Sequence, residues 1–440
     1  MPPKQEKGRV IVTYGRSIIA LMIAQSLGSR GIEVVGCDDV GMTVLSFSKY
    51  VTSNHVYTPA EKSEKRFIAD LIKIAKQNKP DDSRPYLLIP AFRDAKIIAK
   101  YKHRFDGLIT VACPDYEAIE RIDTKDRFAA TLEELGVEAP RTWMPKSKAE
   151  LTKLAKNIDF PVFVKPPDDV GGRGISRVKN AAQLEEAFLD LQKRYRKKQI
   201  LVQEEAKGKD YCFCGLFDHG RLKASMVYHN IHKLPQETGA GVVRKTVKDD
   251  NFRPIVKKLM KPLKWHGVAE IDFMWDGKAK TKPAILEVNA RFWAGLDHSV
   301  KSGMDFPYLL YRLFTTGKLA YQKPARIGHK TSLPGLSTIA RVEELFDNAF
   351  HFDELAEKWP EIKDRLKKKD LLHAAEIFTD ALSETITLDE AFKSLKLIIK
   401  EAKNTEKIAY SKDDPFIGLG VLFILGSLLK HGKLPPEITS

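Results

Sequence analysis

Apolar positions in this chain change period repeatedly, and each change marks an element. Arg9-Val10-Ile11-Val12-Thr13 is an unbroken apolar run, the pattern of a strand buried on both faces. Residues Ile18 to Leu27 carry apolar side chains at helical spacing, Gly31 stops them, and Ile32 to Cys37 is a second buried-type run. The pattern predicts a βαβ opening. Further alternation follows: helix from Phe67 to Lys76, strand from Tyr86 to Pro90, helix from Asp94 to Lys102. The first 115 residues therefore read as an open parallel-sheet domain. The turn after the first strand, Tyr14-Gly15-Arg16-Ser17, holds one glycine and lacks Gly-x-Gly-x-x-Gly, so a dinucleotide fingerprint is missing.

After Cys113-Pro114-Asp115 the rhythm changes. A short helix (Tyr116 to Ile122) and a capped one (Asp126 to Leu135) precede a helix from Lys148 to Ile158 and a strand from Pro161 to Lys165. A glycine-rich turn, Gly171-Gly172-Arg173-Gly174, separates that strand from the next, Ile175 to Val178. Ala181 to Arg194 reads as helix and Ile200 to Glu205 as strand. Antiparallel-type strands run from Tyr211 to Val247, and a helix follows from Phe252 to Leu263. Two strands then flank the turn Trp275-Asp276-Gly277, which predicts a hairpin. Beyond about residue 325 the pattern gives way to charged helical sequence, with a last apolar stretch from Phe416 to Leu429.

The hairpin carries the chemistry. Its second arm, Ala284-Ile285-Leu286-Glu287-Val288-Asn289-Ala290-Arg291, sets a carboxylate, an amide and a guanidinium at every second position, so all three point to one face. Asp272 lies on the first arm. Carboxylate and amide oxygens are hard ligands for a divalent cation, and arginine is a fork for phosphoryl oxygens. Lys165 ends an apolar strand facing the glycine turn, an arrangement that can hold phosphates through one charge and several backbone N–H groups. No Walker A string is present. Val202-Gln203-Glu204-Glu205-Ala206 is a strand passing into a loop, whose backbone groups could read a purine edge.

Composition narrows the setting. At 440 residues the chain is too long for one core and suggests two to four domains. Four cysteines at 37, 113, 212 and 214 have neither zinc nor disulfide spacing, which fits a reducing cytoplasm; of Cys212 and Cys214, one is expected in the core. The start of the chain is polar, and Phe416 to Leu429 is too short and glycine-rich for a membrane span, which suits a buried or dimer-interface helix. Net charge is +15, with basic runs at 193–198 and 367–369. Those runs could attract a polyanion or anionic lipid, but no nucleic-acid motif accompanies them and solvated helix faces explain them.

The order Thr124-Lys125-Asp126-Arg127-Phe128, Phe163-Val164-Lys165-Pro166, Gly171 to Gly174, Val202-Gln203-Glu204-Glu205, Ala269-Glu270-Ile271-Asp272-Phe273 and Ile285 to Arg291 resembles an ATP-grasp domain. Within that superfamily it is most similar to the carboxylate–amine ligase and carbamoyl-phosphate-synthase-like members, over roughly residues 8 to 320. The resemblance implies an α/β and α+β fold. It would comprise a Rossmann-like pre-ATP-grasp domain (1–115), a two-lobed ATP-grasp domain (116–325, lid lobe about 140–205) and a mostly helical C-terminal extension (326–440).

It also implies roles. Lys125 and Lys165 would contact the phosphates of ATP; Gly171, Gly172, Arg173 and Gly174 would form a lid over them. Glu204, Glu205 and Ala206 would be the adenine hinge, and Asp210 would hold ribose. Asp272, Glu287 and Asn289 would bind magnesium or manganese, with Arg291 and Lys165 acting on the transferring phosphoryl group. Two departures stand out: Asn-Ala-Arg replaces the commoner Asn-Pro-Arg, and Asp272 stands where some members carry Gln or Glu. The implied activity is carboxylate–amine ligation, the carboxylate being activated as an acyl phosphate and captured by an amine. A non-catalytic ATP-binding regulator and a carboxylase-like enzyme with another nucleophile are the alternatives. His229, His232, Asp297 and His298 are expected near the acceptor substrate, as is the segment from Tyr228 to Val243; loops from Asp38 to Ser53 and Phe92 to Ala95 would also choose substrates.

Overall fold

The computed structural model describes residues 5–167, 174–195, 198–234, 240–278 and 280–332, with scattered residues beyond them. The first unit comprises 1–230, 245–329 and 409–440. It opens with β1 (Arg9–Val12), α1 (Ile18–Gly28), β2 (Glu33–Asp38), β3 (Val51–Val56), α2 (Glu64–Gln77), β4 (Tyr86–Ile89), α3 (Ala95–Lys100) and β5 (Thr110–Val111). The strands form a five-stranded sheet in the order β3-β2-β1-β4-β5, all parallel. Val10, Ile11 and Val12 are fully buried because helices pack on both faces, which is why β1 reads as a continuous apolar run. The expected opening is therefore present. β3 is an addition: Thr52, Asn54 and Val56 face solvent, so this edge strand has too little apolar pattern to declare itself.

Next come α4 (Tyr116–Glu120), α5 (Lys125–Glu134), β6 (Thr142–Trp143), α6 (Lys148–Ala155), β7 (Val162–Lys165), β8 (Ser176–Val178), α7 (Ala181–Arg194) and β9 (Leu201–Glu204). Strands β6-β9-β7-β8 form a small antiparallel sheet. Leu151 of α6 and Leu184, Phe188 and Leu191 of α7 pack on Val162, Val164 and Val202, giving this lobe a core of its own. Helix α7 starts on Asn180, whose side chain accepts from the Gln183 N–H, and its basic end, Lys193-Arg194, suits the negative pole of the helix dipole.

The third group is β10 (Lys209–Asp218), β11 (Arg221–Leu234), β12 (Ala240–Val247), α8 (Arg253–Met260), β13 (Gly267–Trp275), β14 (Ala284–Asn289), α9 (Leu296–Lys301) and α10 (Phe306–Thr316). In the sheet order β14-β13-β10-β11-β12, strand β10 is central. Centrality corrects one expectation. Cys212, Phe213 and Cys214 are all buried, because both faces of β10 are covered and alternation has no solvent side to show. Gly208 makes the entry to β10: it lies at φ +122°, and a Cβ there would stand 2.2 Å from the Trp275 backbone. Phe213, Phe252, Trp265 and Phe273 join the core under this sheet to the core of the parallel sheet.

The second unit comprises 231–244 and 330–408. Within it β15 (Lys330–Ser332) pairs in parallel with β16 (Glu406–Lys407). The expected helix from Phe416 to Leu429 lies outside the described residues. Among the described residues no helix is long and apolar enough to cross a membrane.

Candidate active site

The hairpin forms as its pattern requires, and its register decides the site. Asp272 on β13 stands directly opposite Glu287 on β14, and Glu270 directly opposite Asn289. The register slips between Asp272 and Phe273, whose partner is Ile285, so Leu286 is left over as a bulge. The bulge lets Ile285 and Val288 both be buried while Glu287 stays exposed. The amide of Asn289 lies between the acids: its Nδ2 is 3.4 Å from Asp272 Oδ2 and 3.4 Å from Glu287 Oε1. Arg291 continues the row, donating from Nη2 to Asn289 Oδ1 at 3.1 Å and from Nη1 to the Phe292 carbonyl at 3.0 Å.

Glu270 belongs to this cluster and was not singled out from sequence. It is buried and accepts from the Tyr228 hydroxyl at 2.9 Å. The signal was available, because Glu270 precedes Asp272 by one strand period and so shares its face. Cys212, opposite Asp272 on the central strand, forms with Glu270 and Asp272 a group whose ligand atoms all lie within 4.8 Å of one another. Withdrawal from water, then Glu270 and Glu287, push the Asp272 carboxyl well above the usual range. Burial pushes the Cys212 thiol up as well.

Across from the acids stand the cations. Lys165 ends β7 and donates from Nζ to Gln203 Oε1 at 2.5 Å; Gln203 Nε2 in turn donates to Thr142 Oγ1 at 2.8 Å. Gln203 is thus the strut that aims Lys165, a role its place in the string did not reveal. The Lys125 N–H, at the start of α5, donates to the Pro167 carbonyl at 2.9 Å, which ties α5 to the exit of β7. Burial and the neighbouring Lys125 charge bring Lys165 down to about 8, partly offset by Glu287. Lys125 and Glu287 therefore both lie within electrostatic range of Lys165.

Beside them is a cavity of about 430 Å³, lined by Lys125, Lys165, Gln203 and the apolar Met144, Ile285 and Leu286. The bulged Leu286 is one of its walls. Glu204 N–H is already spent on the Arg141 carbonyl at 3.0 Å, and the Glu204 carboxylate faces Arg141 at 3.7 Å. Glu205 pairs with Arg177 at 2.5 Å, and with Ala206 it lies past the end of β9. Asp210 accepts from Asn230 Nδ2 at 2.6 Å. Gly171, Gly172 and Arg173 lie outside the described residues; Gly174, at φ +67°, is the first described after them.

The edge of the parallel sheet meets this site at Phe92. The Arg291 guanidinium lies over the Phe92 ring, 4.4 Å from its centroid, and Tyr14 packs on the same ring at 5.2 Å. Three expectations fail. His298 is fully buried in α9, with Nε2 2.9 Å from Thr246 Oγ1 and its ring edge-on to Tyr228, so it holds the fold instead of facing a substrate. Asp297 is buried on the same helix. His229 lies on strand β11 against the Tyr211 ring, not in a loop. Of the segment from Tyr228 to Val243, residues 235–239 lie outside the described residues.

Known proteins share this fold and stretches of this sequence. Residues 135–313 match the family model of the D-ala D-ala ligase C-terminus. The carbamoyl phosphate synthase large chain of Clostridium acetobutylicum is 22% identical over 302 residues, covering 64% of this chain; the chain spans only 27% of that relative's length. The biotin carboxylase domain of Hydrogenobacter thermophilus 2-oxoglutarate carboxylase superposes with a TM-score of 0.58 at 18% identity, over 73% of each chain. The L-amino acid ligase of Bacillus licheniformis gives 0.52 at 17% identity, over 71% of this chain and 75% of that one. The chain is thus similar to the D-ala D-ala ligase C-terminus over residues 135–313, and it shares the fold of these solved structures, with the small antiparallel lobe, the hairpin of acids and the paired lysines all in place.

Proposed function

We propose that the protein is an ATP-dependent ligase that activates a small-molecule carboxylate as an acyl phosphate and passes it to an amine, forming an amide or peptide-like bond. The observation that carries this reading is the direct opposition of Asp272 and Glu287 across the hairpin, with Asn289 between them and Lys165 nearby. Two carboxylates placed opposite each other repel, and a third, Glu270, adds to the repulsion. Three carboxylates beside the single guanidinium of Arg291 leave an excess of hard, negatively charged oxygens, which fits a divalent cation. Asp272, Glu287 and Asn289 would hold magnesium or manganese, the amide turning its oxygen from Arg291 toward the carboxylates. The ion, when bound, neutralises negative charge on the nucleotide phosphates.

The chain's own residues do the rest. Lys125 and Lys165 hold phosphate oxygens, and the strut from Gln203 keeps Lys165 aimed at them. The cavity of about 430 Å³ is of a size for a nucleoside and offers apolar walls to a purine ring. Glu205 and Ala206 supply backbone groups to the purine edge, and Asp210 accepts from the ribose. Gly171, Gly172, Arg173 and Gly174 close over the phosphates. Arg291, held against Phe92, donates to the phosphoryl group in transfer, where fixed donors lower the barrier most. Similarity to D-ala D-ala ligase and to L-amino acid ligase supports carbon–nitrogen bond formation. We place the protein in the cytoplasm, in keeping with its four free thiols.

The test is release of ADP and phosphate over pairs of small carboxylates and amines, with a bicarbonate arm for the carboxylase alternative. Turnover that needs both partners is the expected result. ATP binding without ADP release under any pair would favour a regulatory ATP-binding module.

A further inference from the structure

A second group of ligand-type side chains sits at the opposite end of β10. The chain reverses there through Asp218-His219-Gly220-Arg221, closing the β10–β11 hairpin. His219 Nδ1 is 2.8 Å from Asp218 Oδ1. His266, one residue before β13, brings its Nδ1 to 3.5 Å from the same oxygen. Ligand atoms of the three residues all lie within 4.8 Å of one another. The two imidazoles stack at 4.2 Å with 28° between their planes, and the Phe314 ring lies 4.6 Å from His266.

Two observations separate this group from an ordinary ion pair at a turn. His266 Nδ1 is buried and has no hydrogen-bond partner, an arrangement that costs free energy unless something bonds to that nitrogen. His219 occupies a left-handed position, φ 48°, where Asn or Gly is the easier choice. Both nitrogens converge on one carboxylate oxygen. Lys223 reaches the other Asp218 oxygen, Oδ2, at 3.4 Å and leaves Oδ1 to the histidines, while Lys102 is engaged by Asp115 at 2.9 Å and by the Cys113 carbonyl. His219 and His266 also line a cavity of about 620 Å³, which leaves room for water or an anion.

We propose that Asp218, His219 and His266 bind a divalent transition ion of the zinc, cobalt or nickel class, with an open coordination position toward that cavity. Two imidazoles and one carboxylate are the donor set such ions prefer, whereas magnesium prefers oxygen alone. The site is separate from the nucleotide site: Asp218 lies six residues along β10 from Cys212, the partner of Asp272, which is roughly 20 Å along an extended strand.

The experiment titrates the full chain with Co²⁺, read by visible d–d absorption, and with Zn²⁺ by competition. Excess magnesium is present throughout to occupy the carboxylate site. One equivalent of cobalt with tetrahedral or five-coordinate intensity is expected. His219→Asn, which suits the left-handed turn, and His266→Gln should each weaken binding about tenfold or more, while Glu287→Ala leaves it unchanged. Circular dichroism melts check that the variants fold. No cobalt binding under magnesium, binding unaltered in both histidine variants, or loss in Glu287→Ala would each overturn the proposal.

Discussion

Lys165 and Asp272 face the same candidate site from different lobes, and the surroundings of each disfavour its charge for mirror-image reasons. Lys165 is withdrawn from water beside another lysine, so its charge is disfavoured and it falls to about 8. Asp272 is withdrawn from water beside two more carboxylates, so its charge is disfavoured and it rises. The three carboxylates and the two lysines thus form two clusters of opposite sign, each holding a member withdrawn from water. A polyanion together with a cation relieves both sides at once. The lobes differ in how they are held: the sheet of β10 and β13 shares a continuous core with the parallel sheet, whereas the lobe of β7 and β9 has a small core of its own. The acids stand on the large core, which also holds α5 and with it Lys125, whereas Lys165 stands on the separately packed module.

Breaking the acid cluster should have the largest effect. Glu287→Ala is expected to lower ADP release about 10²–10³-fold, the loss usual for one group that stabilises transition-state charge; full turnover in this variant would remove the metal assignment. Breaking the module comes next. Phe188→Ala takes a fully buried ring from the small core and should cost about 3–5 kcal/mol. Hydrogen exchange should then rise in α7 and β9 and stay slow in β10 and β13, and equal acceleration in both would contradict separate cores.

The charge on the lysine side gives a graded test. Lys165 loses its proton near pH 8, so nucleotide affinity should fall as pH rises through about 8. Lys165→Arg stays charged and should flatten that dependence; a pH profile identical to wild type would show that Lys165 does not contact the phosphates. Stability runs the other way. The folded value lies below the unfolded 10.5, so the unfolded chain binds the extra proton between about 8 and 10.5, and this group makes the protein more stable as pH rises through that window. The smallest effect is expected at the surface pair Arg141–Glu204. Both side chains are exposed, and Glu204→Gln should shift stability by less than about 1 kcal/mol. A larger loss in thermal denaturation would mean that Glu204 is structural.

The elements that were legible are those whose apolar pattern is enforced locally. β1 and α7 follow from periodicity alone, and the hairpin from its turn. Edge strand β3 was not legible, because a strand with a solvent face and one neighbour needs no distinctive sequence. Nor was the burial of both Cys212 and Cys214, since it depends on which strands flank β10. His298 shows the converse error. Its nearness in sequence to the Asn289 strand suggested substrate contact, yet packing of α9 against Thr246 and Tyr228 encloses it.

By itself the sequence determined the order of elements, the identity of Asp272, Glu287, Asn289 and Arg291 as one polar row, and the lysine that ends β7. These follow from covalent order and the two-residue strand repeat, which no tertiary contact alters. Only the tertiary structure decided that Asp272 meets Glu287 instead of a neighbour, that Leu286 bulges into the cavity wall, and that Gln203 aims Lys165. It also decided that Phe92, from the parallel sheet, lies under Arg291. Register and cross-domain contact are set by packing over long sequence separations, and a one-residue slip in either would have placed the same side chains on the wrong face.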